Sequence, residues 1–269
     1  MKLALAQLRV EPGAVTANVD RAVAAIADAA ADGADLVALP ELFAVGYFSF
    51  DLYDRTAEGL DGPTLGRVAD AAADHDVGVL AGSVVEDLVA SSDAGVDTPA
   101  DEGLANSAVF LDRDGDRRAV YRKHHLFGYD SAEQELLTPG ESLPTVEFAD
   151  HVVGMTTCYD LRFPSLYRDL VDSGATCVLV PSAWPYPRVE HWNLLPRARA
   201  VENLLYVGAV NGVGQFEQAE LLGRSAVYDP WGTTLASAGD EATTVTAELD
   251  RDWVEEVRGE FPALDDRRA

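Results

Sequence analysis

The stretch "VVGMTTCYDLRFPSLYRDL" at residues 152–170 contains, in order, an apolar run, a polar turn and the start of an amphipathic segment. Its apolar run is typical of a buried strand. Pro164 suits the first turn of a helix and Gly174 suits its end, so "PSLYRDLVDSG" is expected to be helical. Cys158 lies between the two. The stretch therefore predicts a strand, a turn that carries a thiol, and a helix.

The same alternation of strands and helices continues on both sides of this unit. Toward the N-terminus, the strand "KLALAQLRV" precedes a helix that ends near Gly33, and "DLVALP" and "VGVLAGSVV" flank the helical "TLGRVADAAADH". Toward the C-terminus, the helix "HWNLLPRARAVENL" lies between the strands "TCVLVPSAW" and "LYVGAVNGVG". Pro196 predicts a kink in that helix or a later start. Such alternation indicates an α/β fold with helices packed on a sheet.

Turn signals complete the outline of the chain. Asp-Gly in "RDGD" predicts a hairpin between "NSAVFLD" and "RRAVYRK", and "DPWG" predicts a second hairpin, followed by a strand "TTVTAEL" and a short acidic helix. Residues 86–104 lack periodicity and are rich in Asp, Ser, Gly and Pro, which predicts a surface loop. Because no repeat or linker divides the chain, we expect one domain over residues 1–269.

The charge of the chain excludes some partners. There are 46 acidic and 20 basic residues, a net charge of −26. Such a surface repels nucleic acid and anionic membranes, so neither is expected as a partner. A dense acidic shell also suits concentrated salt, where repulsion between surface charges is screened. We therefore hypothesise a halophilic cytoplasm.

The chain also lacks the sequence marks of export. No apolar run approaches the roughly 20 residues that cross a bilayer, and the first residues do not form a secretory signal. The two cysteines, Cys158 and Cys177, cannot make a disulfide framework and are expected to be reduced. A cytoplasmic location follows as the expectation.

Three reactive residues follow predicted strands. "DLVALP" leads into Glu41, "RRAVYR" into Lys123 and "VVGMTT" into Cys158, and ligands of α/β sheets bind where such strand ends meet. Taken singly, an exposed glutamate, a surface amine and a buried thiol are the commoner interpretations. Lys2 and Lys123 are the only lysines, however, and thiol catalysis needs a base and a cation. Together the three predict a nucleophilic site.

Histidine offers a competing base. In a Cys–His hydrolase, one of the five histidines would take the thiol proton, and His124 and His125 follow Lys123 directly. Two adjacent residues at a strand end point to opposite faces, so a metal site there is not expected. No strand-to-helix phosphate turn or GxxxxGK[ST] motif is present, and we expect no cofactor.

Several segments resemble the nitrilase superfamily of carbon–nitrogen hydrolases along nearly the whole chain. They are "LPELFAVGY", "YRKHHLFG", "EQELLTPG", "CYDLRFPSLYRDL" and "GRSAVYDPWG". The resemblance implies an αββα sandwich, two copies of which commonly pack into an αββα–αββα assembly. A homodimer or higher homo-oligomer is therefore expected.

The resemblance also implies roles for individual residues. Cys158 matches the family nucleophile, Glu41 the general base, and Lys123 the group that stabilises the tetrahedral intermediate. Glu133 matches a second glutamate that holds the lysine or the substrate, and its spacing to "TPG" favours it over Glu135. The expected reaction hydrolyses a small amide through a cysteine thioester to a carboxylic acid and ammonia.

Other features of this reaction remain expectations of the same kind. The backbone N–H of Tyr159 is expected to help hold the oxyanion, and Tyr47, Tyr129 and Trp184 to line the pocket. Since the expected helix begins at Pro164, Glu41 rather than a helix dipole is expected to activate the thiol. The "CYDLRFP" context resembles amidase and ω-amidase branches. A nitrilase, an N-carbamoyl amide hydrolase and a catalytically silent binding scaffold are the alternatives.

Overall fold

A computed structural model describes residues 1–129 and 131–267. Its first sheet has six strands in the order β14-β1-β2-β3-β4-β5, of which β1, β2 and β3 are parallel neighbours. The remaining pairs are antiparallel, including the hairpin of β4 and β5 predicted around "RDGD". The strands are β1 (Lys2–Gln7), β2 (Leu36–Ala38), β3 (Gly78–Asp87), β4 (Leu104–Leu111), β5 (Arg117–Arg122) and β14 (Thr243–Glu248).

The second sheet also has six strands, in the order β13-β12-β9-β8-β7-β6, and its centre β7-β8-β9 is parallel. The predicted "DPWG" hairpin joins β12 and β13. A separate two-stranded ribbon consists of β10 (Val213–Gln215) and β11 (Glu220–Leu222). The strands of the second six-stranded sheet are β6 (Thr145–Phe148), β7 (His151–Met155), β8 (Cys177–Ser182), β9 (Tyr206–Asn211), β12 (Ala226–Tyr228) and β13 (Thr234–Ser237).

Helices cover the outer face of each sheet. On the first sheet, α1 and α3 bury their apolar stripes, and on the second, α6 and α7 do so. The short helices α2, α4 and α5 lie in connections, and α8 follows the last strand. The helices are α1 (Val15–Ala31), α2 (Tyr53–Thr56), α3 (Pro63–Asp74), α4 (Leu88–Asp93), α5 (Glu133–Leu136), α6 (Pro164–Asp172), α7 (Val189–Asn203) and α8 (Arg251–Glu260).

The pleat of β1 shows how the layers are held together. Ala4 and Ala6 join the cluster beneath α1 and α3, where small side chains let the helices approach. Leu3 and Leu5 point the other way and pack in the cluster between the sheets, which includes Leu179 of β8. Because successive residues of a strand face opposite sides, this one strand serves two cores. The result is an αββα sandwich, as predicted.

Two expectations about local structure were wrong in part. Within residues 86–104, β3 extends to Asp87 and α4 follows, since the Asp87 carboxylate accepts hydrogen bonds from the N–H groups of Val89 and Ala90 and so caps that helix. The predicted loop is correspondingly shorter. Helix α7 extends on both sides of Pro196, so of the two expected alternatives, a kink or a later start, the later start is wrong.

Two further observations concern the whole chain. Among the residues described, no helix has the length and apolar character needed to cross a membrane. Cys158 and Cys177 are both free, and Cys177 is fully buried in the core between the sheets.

Candidate active site

Glu41, Lys123 and Cys158 meet although more than a hundred residues separate the first from the last. Glu41 follows β2, Lys123 follows β5 and Cys158 follows β7. The Lys123 Nζ lies 2.8 Å from Glu41 Oε1, and the Cys158 thiol lies within hydrogen-bonding reach of the same carboxylate. All three are nearly or fully buried. The structure thus brings an acid, an amine and a thiol into direct contact.

Glu133 is the second carboxylate of this cluster. Its two oxygens lie 2.8 and 3.0 Å from the Lys123 Nζ. The Tyr47 hydroxyl and the Phe127 backbone N–H also donate to it, at 3.0 and 2.7 Å. Glu135, in contrast, is exposed. Glu133 therefore fixes the position of the lysine and of the loop that follows it.

Asn106 also belongs to the cluster, and sequence reasoning missed it. Its side-chain N–H₂ group donates to Glu41 Oε1 at 2.9 Å and to Glu133 Oε1 at 3.2 Å. These two bonds fix the orientation of the amide, and no donor within the described chain reaches its Oδ1. A buried, unsatisfied oxygen costs about 1–3 kcal/mol. The amide is therefore oriented to serve the two carboxylates.

The segment that carries Glu41 packs unusually close to β3. A Cβ on Gly82 would lie 2.0 Å from the carbonyl oxygen of Leu39, so only glycine fits there. Leu42 adopts a positive φ of 46°, and its N–H donates to the Ser83 hydroxyl at 2.8 Å. On the other side, the Ala183 N–H donates to Glu41 Oε2 at 2.9 Å. Glu41 is thereby held from both sheets.

Cys158 begins a 3-10 helix, Cys158–Arg162, which was not predicted, while α6 begins at Pro164 as expected. Thr157 and Asp160 form a capping box at its start, a pattern that "TCYD" already contained. The φ of Cys158 is 48°, a strained value for a side chain other than glycine. As the second residue of the turn, Tyr159 has a backbone N–H without an intrahelical acceptor.

Asp160 ties the cysteine turn to the segment after Lys123. Its carboxylate accepts hydrogen bonds from the Tyr121 hydroxyl at 2.6 Å and from the His125 N–H at 3.0 Å, and His125 Nδ1 lies 2.8 Å away. His124 stacks on Tyr121 instead. Within the described chain no histidine lines the cavity at Cys158 and no group of metal-ligating side chains occurs. The geometry favours Glu41 over histidine as the base.

Burial and charge set the protonation of the cluster. Burial raises the pKa of the Cys158 thiol well above its usual value, and the nearby Glu41 charge adds to this effect. Burial likewise raises the pKa of Glu41, opposed by the cation of Lys123. For Lys123, burial disfavours the charged form, but the carboxylates of Glu133 and Glu41 outweigh it and raise the pKa. The resting site therefore contains a charged lysine and a neutral thiol.

The thiol opens into a cavity of about 570 Å³. Its charged lining residues within the described chain are Lys123, Arg162 and Arg188, and all three are cations. Sequence reasoning did not single out the two arginines. Tyr47, Tyr129 and Trp184, which were expected to line the pocket, all do so, as does Tyr159, and Tyr129 is 75% exposed at its edge. The other aromatic lining residues are Phe48, Phe50, Phe127 and Tyr186.

Comparison with known proteins extends these observations. A sequence model of the carbon-nitrogen hydrolase family matches residues 2–259. The 2-oxoglutaramate amidase of Paenarthrobacter nicotinovorans is 38% identical over 242 residues, which cover 88% of this chain and 79% of that protein. An omega-amidase of Xenopus tropicalis is 32% identical over 276 residues, covering 99% and 95%.

A solved structure is similar as well. A mutant of the amidase from Nesterenkonia sp. AN1, whose active-site cysteine carries the product of Michael addition of acrylamide, superposes with a TM-score of 0.81 at 28% identity. The match covers 98% of each chain. With its αββα sandwich and buried thiol, this chain belongs to the carbon-nitrogen hydrolase family. It is a hydrolase of carbon–nitrogen bonds.

Proposed function

We propose that the protein hydrolyses small amides that carry a carboxylate away from the amide group. The observation that carries this proposal is the set of three cations, Lys123, Arg162 and Arg188, on the wall of a largely aromatic cavity in a protein of net charge −26. A neutral amide would gain nothing from such a wall, whereas a carboxylate would pair with guanidinium. The names of the 2-oxoglutaramate and omega-amidase relatives support the same substrate class.

The catalytic roles follow from the contacts at the thiol. Glu41 takes the proton of Cys158 as the sulfur attacks the amide carbon, and the oxyanion so formed is held by Lys123 and the Tyr159 N–H. Glu41 then protonates the nitrogen, the carbon–nitrogen bond breaks, and ammonia leaves a thioester on Cys158. Water attacks the thioester while Glu41 takes a proton, and the acid departs as the thiol reforms. Glu133 positions Lys123 throughout.

The proposal is tested by the ammonia released from matched compounds. The panel comprises succinamate, its uncharged isostere 4-oxopentanamide, a nitrile with a terminal carboxylate and an N-carbamoyl amino acid. Succinamate is expected to have the largest kcat/KM. Equal rates on succinamate and 4-oxopentanamide would contradict the substrate class, and preference for the nitrile or the carbamoyl compound would favour those alternatives. Loss of an acyl mass shift in Cys158→Ala identifies the nucleophile.

We also propose that two copies associate, as the family resemblance implies. The outer face of α7 exposes Leu194 and Val201, and Val201 lies against the turn at Gly232, next to Trp231. The Trp231 ring in turn lies 5.9 Å from that of Phe261. Exposed apolar patches of this kind are typical of interfaces. Light scattering is expected to give a dimer or larger assembly, and Leu194→Glu to weaken it; a monomeric native protein would contradict the proposal.

A salt-rich cytoplasm is the compartment that we propose. Two free cysteines suit reducing conditions, and the acidic excess suits screening by concentrated salt. The free energy of unfolding, measured with urea, is expected to rise from low to molar KCl. Stability that is independent of KCl would count against halophily.

A further inference from the structure

The two arginines of the cavity wall, Arg162 and Arg188, differ in the contacts that hold them. Arg162 belongs to the cysteine turn, and its Nη2 lies 2.9 Å from His191 Nδ1. Its guanidinium carbon also lies 5.3 Å from the Trp184 ring and 5.8 Å from the Tyr159 ring. Arg162 is therefore held by His191, which does not line the cavity, and by two rings of the cavity wall.

Arg188 is held by its backbone instead. It immediately precedes α7, and its carbonyl oxygen accepts a hydrogen bond from Trp184 Nε1 at 3.1 Å. Its half-buried side chain reaches the cavity, where the guanidinium carbon lies 5.6 Å from the centre of the Phe127 ring. Within residues 1–129 and 131–267 this ring is the one specific contact of the guanidinium.

The contact with the Phe127 ring leaves the N–H groups of the Arg188 guanidinium available. Arginine has five N–H donors, and a contact with an aromatic ring at 5.6 Å is not a hydrogen bond that would consume them. Phe127 is itself fixed, because its backbone N–H donates to Glu133 at 2.7 Å. The ring next to Arg188 is thus connected to the catalytic cluster, and the guanidinium N–H groups can bind a planar, two-oxygen acceptor.

The third cation cannot take this role. Glu41 and Glu133 hold the Lys123 ammonium at 2.8–3.0 Å beside the thiol, so it lies at the reacting amide and not at the distal carboxylate. Building on the proposed function, we propose that Arg188 binds the distal carboxylate of the substrate and so determines the preference for ω-amides over uncharged amides. Arg162 then supports the wall of the cavity without contributing to that preference.

The inference is tested with Arg188→Gln on the full-length protein. Loss of a charged hydrogen-bonding partner is expected to lower kcat/KM for succinamate by roughly 10- to 100-fold, mainly through a higher KM. Activity on the uncharged 4-oxopentanamide should change less than about twofold, since the cluster at Cys158 is untouched. Arg67→Gln removes the same charge from the exposed face of α3, where Arg67 pairs with Asp20, and should leave both substrates unaffected.

A binding measurement complements the kinetics. Succinate, the product, should protect Cys158 from alkylation in the native protein, and protection should require roughly 10- to 100-fold more succinate in Arg188→Gln. If the native protein prefers succinamate and Arg188→Gln keeps that preference, the assignment to Arg188 is wrong while the proposed function stands. Equal losses on both substrates would also overturn it. If the native protein shows no preference for succinamate, the proposed function and the assignment both fail.

Discussion

Replacing Asn106 by leucine tests how two buried carboxylates share one lysine. The substitution keeps roughly the same volume and removes the two N–H donors that reach Glu41 Oε1 at 2.9 Å and Glu133 Oε1 at 3.2 Å. It also removes the unsatisfied Oδ1, so the variant is not expected to unfold. The change therefore acts mainly on the electrostatics of the carboxylates.

The expected loss of kcat/KM in Asn106→Leu follows from the hydrogen bond to Glu41. A hydrogen bond to a charged group contributes about 1.5–3 kcal/mol, and the leucine variant loses this stabilisation of the ionised Glu41. Because about 1.4 kcal/mol corresponds to a factor of ten, kcat/KM is expected to fall by roughly 10- to 100-fold where Glu41 is partly protonated. The more distant bond to Glu133 adds less, since Lys123, Tyr47 and Phe127 still donate to that group.

The sign of the pH effect distinguishes this role from a general loss of packing. Burial already raises the pKa of Glu41, and donors to its ionised form hold that pKa down. Removing Asn106 raises the pKa further, so the acid limb of the kcat/KM profile moves to higher pH. Activity is lost as pH falls through the Glu41 pKa and recovers above it.

The assay is ammonia release from succinamate across the pH range over which the enzyme is stable. Ser107→Ala changes the neighbouring residue of β4, whose hydroxyl contacts Glu86 on the opposite face, and should leave the profile in place. Asn106→Asp adds a third carboxylate to the cluster and should be more damaging than leucine. An Asn106→Leu enzyme with an unmoved acid limb and native kcat/KM would refute the reasoning.

Three further outcomes are expected from the same structure. Lys123→Met should lower kcat by about 10²–10³, measured as ammonia release, because an oxyanion donor is lost; a smaller effect would assign that donor elsewhere. Arg122→Met leaves Glu86 buried without its two-point partner at 2.6 and 2.7 Å, so urea unfolding should show a loss of about 3–5 kcal/mol, and no loss would contradict this. Burial lowers the pKa of His151 in the folded protein. As pH drops below about 6.5, the unfolded chain therefore binds a proton that the folded protein does not, and the free energy of unfolding should fall. This fall should be smaller in His151→Gln, as followed by thermal unfolding.

The convergence of Glu41 and Cys158 could be predicted because both follow strands of the parallel parts of the sheets. Strand periodicity gives those ends, and the carboxyl ends of parallel strands lie at one edge of each sheet. Because β2 and β7 belong to different sheets, their meeting also depends on how the two sheets stack, which periodicity does not give. Asn106 could not be found this way, since it lies inside the apolar run of β4 and nothing in its neighbours indicates which face it takes. The position of Arg188 at the cavity depends on the path of the irregular connection before α7, and hydrophobic periodicity does not describe such a connection. The 3-10 turn at Cys158 does have a signal in the sequence, the Thr157 to Asp160 spacing of a capping box.

The charge of the buried cluster explains why this combination of groups suits the reaction. If both carboxylates are ionised and the lysine is charged, the cluster carries a net charge of −1 beside a neutral thiol, and Asn106, Tyr47 and Ala183 donate hydrogen bonds to the carboxylates. When the thiol proton moves to Glu41 and the sulfur bonds to the amide carbon, the negative charge passes to the substrate oxygen near Lys123, and the total is unchanged. Creating net charge in a site sheltered from water would be costly, whereas moving it among fixed partners is not. A base within the cluster therefore suits this buried thiol better than proton loss to solvent.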